Sequence, residues 1–237
     1  MTSSVYKELV GIRDGVVQIE GMLELPSDPA GVVLFAHGSG SSRLSPRNNQ
    51  VAAVLRDRQM GTLLVDLLTP EEDRDYETRF DIALLTGRLE AAMSWLQQNA
   101  KTEILPIGLF GASTGAAAAL QLAALMPDKI TAVVSRGGRV DLAGRSALEH
   151  VEAPTLLIVG ELDHVVLDLN RSSYLALHCN KRLDVVPGAT HLFQEPGALD
   201  EVAELAANWF YRHLAGSAQG MVRPPAGSGA SPERRLS

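Results

Sequence analysis

The chain has 237 residues, 46% of them hydrophobic and 21% charged, with a formal net charge of −7. That length suits one domain with a sizeable core, and the acidic balance gives no electrostatic reason for a nucleic-acid or anionic-membrane partner. Cys179 is the only cysteine, which excludes an internal disulfide, and no Cys/His cluster has the spacing of a zinc site, so neither metal nor cofactor is expected. The first residues, Met1 to Glu8, show no basic patch followed by an apolar run. No secretory signal is expected, and a cytoplasmic location is. Arg, Glu, Asp or Gly interrupts every hydrophobic segment before membrane-spanning length. The expected partner is a small molecule, and nothing in the sequence fixes the oligomeric state.

In chain order, residues 16–25 alternate apolar with polar or small side chains, predicting a half-buried antiparallel strand within an opening hairpin. Residues 32–36, 62–65, 105–110, 130–134 and 155–159 are short, mostly apolar runs suited to strands buried on both faces of a parallel sheet. Residues 183–186 also read as a strand. Helical spacing covers 46–60, 79–98, 114–126 and 199–214, with Ser45-Pro46 marking one helix start by an N-cap hydroxyl and a proline at the first position. Alternating strand and helix predicts an α/β fold, an open sheet with helices on both faces whose ligands collect at the carboxyl ends of the strands. Residues 1–214 are read as a single domain. Residues 215–237, rich in Gly, Ser, Pro, Ala and Arg, are read as a disordered tail.

Gly111-Ala112-Ser113-Thr114-Gly115 sits between an apolar strand and an alanine-rich helix. A nucleophile elbow needs this context, with small residues two positions either side of a strained central one. Ser113 is therefore the candidate nucleophile. A serine hydroxyl needs an imidazole to take its proton and a carboxylate to orient that imidazole, in the chain order Ser, acid, His. His191 follows the strand at 183–186 and is the candidate base; Asp163 follows the strand at 155–159 and is the candidate acid, with Glu161 its nearest rival. His178 and His213 fall within helical patterns, and His150 precedes a strand.

The oxyanion hole is assigned to the Thr114 N–H at the helix start and to the Ser39 N–H in His37-Gly38-Ser39-Gly40, with Gly40 the alternative. His37 is read as a brace for that loop. A dinucleotide fingerprint is disfavoured there, because Arg43 stands where its third glycine belongs. Gly40, Arg43 and Arg136 are candidate substrate contacts, and Arg47 and Arg139 share their setting near strand ends. A guanidinium there could grip a substrate carboxylate. The alternative is structural pairing with Asp66 or Asp141, and it is preferred.

The His37-Gly-Ser-Gly loop, the elbow at Ser113, Asp163 and His191 together resemble the α/β-hydrolase superfamily, over about residues 15–214. The compact layout is similar to the dienelactone hydrolase family. His37 to Arg43, Ser45-Pro-Arg-Asn48, Arg79-Phe-Asp-Ile82 and Ser135-Arg-Gly-Gly-Arg139 further resemble a bacterial branch whose members are in some cases joined to a phosphoribosyltransferase domain. The resemblance implies an α/β-hydrolase fold that hydrolyses a carboxylic ester, lactone or thioester through an acyl-serine. Dienelactone hydrolase itself has a cysteine in the elbow where this chain has Ser113. Only 16 residues, 138–153, separate the loop after residues 130–134 from the next strand, too few for a large cap. Two alternatives use the same residues: a receptor-like ligand binder with vestigial turnover, and an acyltransferase or perhydrolase.

Overall fold

A computed structural model describes residues 6–215. All of the expected tail beyond residue 215 lies outside the described residues. Among those described, eight strands form one sheet: β1 (Tyr6–Asp14), β2 (Val17–Leu25), β3 (Gly31–Ala36), β4 (Met60–Val65), β5 (Ile107–Ala112), β6 (Ile130–Arg136), β7 (Thr155–Gly160) and β8 (Lys181–Val186). Their spatial order is β1-β2-β4-β3-β5-β6-β7-β8. β1 and β2 form the antiparallel opening hairpin, β2 meets β4 antiparallel, and every pair from β4 to β8 is parallel.

The α-helices are α1 (Pro46–Asp57), α2 (Ile82–Gln98), α3 (Thr114–Leu125), α4 (Arg145–His150), α5 (His164–Ala176) and α6 (Ala198–Phe210). Strand side chains alternate between faces, so β3 serves two cores at once. Val32, Leu34 and Ala36 pack with residues of α2 and α3, while Val33 and Phe35 pack with residues of α1 and α6. Burial of every residue in β3, β4, β5 and β7 accounts for their unbroken apolar runs. This is the α/β-hydrolase arrangement, with no cap domain among the described residues: the link from β6 to β7 holds one short 3-10 turn and the six-residue α4.

Several boundaries differ from the sequence reading for local reasons. α1 stops at Asp57, because Gln59 takes a left-handed backbone (φ 61°) and Met60 starts β4. β5 starts after Pro106, which has no N–H for the ladder; its carbonyl accepts from Val32 N–H at 2.9 Å. The helical reading from residue 79 divides at Asp81, whose carboxylate accepts Leu84 N–H at 3.0 Å as the N-cap of α2. Arg79 lies before it, in a 3-10 turn. His178 lies beyond the end of α5 and is not helical, and His150 is the last residue of α4. The Ser45 start is as read: Pro46 opens α1, and Ser45 Oγ accepts Asn48 N–H at 3.4 Å.

Candidate active site

The carboxyl edge of the central strands carries the site. β5 ends at Ala112 and α3 starts at Thr114, leaving Ser113 to turn the chain with φ 50° and ψ −121°. A non-glycine residue in that region is strained, and the surroundings must hold it there. Its N–H donates to Arg136 O at 3.3 Å, and its carbonyl accepts from Ala116 N–H at 3.1 Å and Arg139 N–H at 3.0 Å. The turn's small residues are sterically required. A Cβ on Gly111 would lie 2.7 Å from Ala116 N, and one on Gly115 would overlap the carbonyl oxygens of Ala36 and His37.

The loop after β3 lies directly against this turn. A Cβ on Gly38 would sit 2.8 Å from Ser113 Cβ and 3.6 Å from its Oγ. Ser41 N–H closes a turn onto Gly38 O at 3.1 Å, a bond that uses neither the Ser39 nor the Gly40 amide. Gly40 takes φ 65°. Gly38, Ser39, Gly40 and Thr114 line a narrow recess, walled on another side by Asp73 and Arg79, which pair at 3.1 Å. Thr114 is the first residue of α3, so its N–H has no carbonyl one turn back to bond.

His37 braces the loop through both of its ring nitrogens. Its Nε2 accepts Leu67 N–H at 2.9 Å, which leaves Nδ1 as the protonated nitrogen donating to Gly38 O at 2.9 Å. Burial holds its pKa below the ordinary histidine value; the Gly38 carbonyl and the fields of Asp66 and Asp73 oppose that shift.

Asp163 and His191 come together from two loops, with His191 Nδ1 donating to Asp163 Oδ2 at 2.6 Å. The Asp163 side chain is 13% exposed and the His191 side chain 39%, so the carboxylate is shielded and the imidazole reachable. The two loops are stitched by Leu162 N–H to Ala189 O at 2.9 Å and Glu161 N–H to Val186 O at 3.0 Å. Glu161, the rival acid, instead accepts Gly188 N–H at 2.8 Å and so caps the turn leading to His191. Gly137 (φ 50°) connects the halves of the site: a Cβ there would lie 3.5 Å from His191 Cε1, and Ser113 N–H bonds the preceding carbonyl.

Two of the candidate arginines are committed elsewhere. Arg43 pairs with Asp66, and with Glu20 at 2.6 Å, while its N–H bonds Asp66 Oδ1 at 2.6 Å. Two carboxylates thus engage its fork, which is the structural pairing that the sequence reading prefers over a substrate contact. Arg139 pairs with Asp141 at 2.8 Å. Arg136 differs: it is buried, and its Nη1 has no hydrogen-bond partner.

Sequence reasoning missed Asn170. Fully buried on α5, it donates from Nδ2 to Gly138 O and Val166 O, both at 2.8 Å, and so fixes the loop between Ser113 and His191. Nothing local distinguishes it from a surface asparagine.

Comparison with known proteins places this arrangement. The dienelactone hydrolase family model matches residues 68–214. The chain belongs to the dienelactone hydrolase family. It is 52% identical to a crystal structure of dienelactone hydrolase from Anabaena variabilis ATCC 29413, with a TM-score of 0.85 over 88% of this chain and 98% of that one. It is 54% identical over 209 residues to Mycobacterium tuberculosis proteins of strains CDC 1551 / Oshkosh and ATCC 25618 / H37Rv, both provisionally named phosphoribosyl transferases. That match covers 88% of this chain and 47% of those proteins, so the chain spans about half the length of these curated relatives. Est1E from Butyrivibrio proteoclasticus shares the fold at 14% identity, with a TM-score of 0.76 over 87% of this chain and 99% of that one. The family is one of hydrolases. No described helix is long and apolar enough to cross a membrane.

Proposed function

We propose that the chain is a serine hydrolase that cleaves a carboxylic ester, lactone or thioester through an acyl-enzyme on Ser113. The observation that carries this reading is the strained Ser113 turn, on the same strand edge as a His191–Asp163 pair bonded at 2.6 Å. Asp163 accepts the Nδ1 proton, which leaves His191 Nε2 to take the proton of Ser113 Oγ as that oxygen bonds to the acyl carbon. The Thr114 and Ser39 amides stabilise the negative charge on the carbonyl oxygen, helped by the positive end of α3. His191 returns the proton to the departing alkoxide or thiolate. Water, deprotonated by the same imidazole, then releases the acid and restores Ser113.

The phosphoribosyl transferase name belongs to chains about twice this length, and the residues of this chain account for acyl transfer without it. A fluorophosphonate probe tests the reading. It should label Ser113 stoichiometrically, and a panel of aryl esters should show many turnovers per enzyme. Labelling at another residue, or labelling without turnover, would contradict it.

A further inference from the structure

The arginines around the site differ in what they hold. Arg43, Arg79 and Arg139 each pair with a carboxylate. Arg136 and Arg47 pair with none among the described residues, and Arg136 Nη1 and Arg47 Nε are both buried without a hydrogen-bond partner. Arg136 is only 8% exposed, the last residue of β6, with its guanidinium carbon 5.9 Å from the centre of the Phe110 ring. Removing a guanidinium from water without a counter-charge is costly, and packing alone would be served as well by an apolar side chain.

The position of Arg136 gives the unpaired charge a use. Arg136 is the sheet partner of Ala112, and its carbonyl accepts the Ser113 N–H. Arg47 belongs to the first turn of α1, a twelve-residue helix whose positive end adds to the local potential. Arg47 is close enough that its charge disfavours protonation of Arg136: burial first, and Arg47 second, push the Arg136 pKa down to about 10. Two cations thus reinforce one another at the end of β6 and the start of α1, on the strand edge that carries Ser113, in a chain whose net charge is −7.

We propose that Arg136 and Arg47 form a subsite, next to Ser113, for a doubly charged oxyanion, namely a phosphate monoester group carried by the ester substrate. This rests on the hydrolase reading for the word substrate, but not for the anion site. Two guanidiniums match a dianion in charge, and a phosphate offers enough oxygens for paired N–H bonds from both forks. A carboxylate would leave one positive charge uncompensated.

The test uses three matched aryl esters whose acyl chains end in a methyl, a carboxylate or a phosphate monoester. At pH 8 the wild-type kcat/KM should favour the phosphate ester over the methyl ester by about tenfold or more, with the carboxylate between them. That ratio, taken within each variant, should fall about tenfold in Arg47→Gln and in Arg136→Gln. Arg47 is only partly buried, so its variant serves if Arg136→Gln does not fold. A ratio near one in the wild type, a ratio unchanged in both variants, or a preference for carboxylate would overturn the proposal. Millimolar inorganic phosphate should also raise the melting midpoint of the wild type and of Ser113→Ala, but not of Arg47→Gln. That readout needs no turnover: if no ester is cleaved yet phosphate stabilises in an Arg47-dependent way, the hydrolase reading fails and the subsite stands. If esters are cleaved and phosphate has no such effect, the subsite fails alone.

Discussion

Replacing Gly115 by alanine tests whether close approach of the β3 loop to the Ser113 turn is what builds the site. The added Cβ would overlap the carbonyl oxygens of Ala36 and His37, and both are backbone atoms that cannot rotate away. Either α3 or the loop at 36–40 must retreat. Overpacking of this kind costs about 1–3 kcal/mol, and at roughly 2–4 °C per kcal/mol for a chain of this size the melting midpoint should drop by roughly 2–12 °C. Activity should fall further than stability. Gly38 is packed so tightly against Ser113 that a Cβ on it would lie only 2.8 Å from Ser113 Cβ, so a retreat moves the Ser39 amide away from the carbonyl oxygen it is proposed to stabilise. Loss of one oxyanion donor, or a misplacement of about 1 Å, lowers kcat by ~10²-fold or more. Thermal melts and p-nitrophenyl acetate kinetics on the same preparation measure both. A variant with wild-type kcat and midpoint would refute the claim that the two backbones must touch.

Gly87→Ala is the matched control: it lies inside α2, a Cβ there meets nothing within 4 Å, and the change should stabilise by about 0.5–1 kcal/mol in urea melts. Asp163→Asn should lower kcat by ~10⁴ while the fold survives, because an amide facing Nδ1 favours the tautomer with its proton on Nε2; a loss under tenfold would place the acid elsewhere. His37 gives a pH signature. Its folded pKa lies below the unfolded value of about 6.5, so the unfolded chain binds the extra proton first. Stability should be full above that value and decline as pH falls through it, by up to ~1.4 kcal/mol per pH unit. The urea midpoint measured from pH 7.5 to 5 should therefore have a shallower slope in His37→Gln, and an equal slope would remove His37 as the cause.

Much of this molecule is written locally. The buried strands show as apolar runs because both their faces are covered, and the Ser113 turn shows because its glycines answer to steric limits within five residues. Asp163 and His191 could be singled out as candidates from chain order and strand ends alone, and the structure joins the two by a hydrogen bond of 2.6 Å. Other features depend on partners distant in sequence. Arg43 is held by Asp66 from the end of β4, the pairing preferred from sequence, and also by Glu20 from β2, which nothing near Arg43 foretells. The solitary state of Arg136 is likewise visible only when its neighbours in space are known. α5 lacks a clear apolar stripe in sequence because Asn170 and Ser173, both polar, occupy buried positions on it.

The central claim is that Ser113 is the nucleophile, and Ser113→Ala assayed with p-nitrophenyl acetate tests it most directly. The serine, base and acid acting as a unit predict a fall in kcat of up to ~10⁶, with an unchanged melting curve. Turnover at the wild-type rate by a well-folded Ser113→Ala protein would contradict the account.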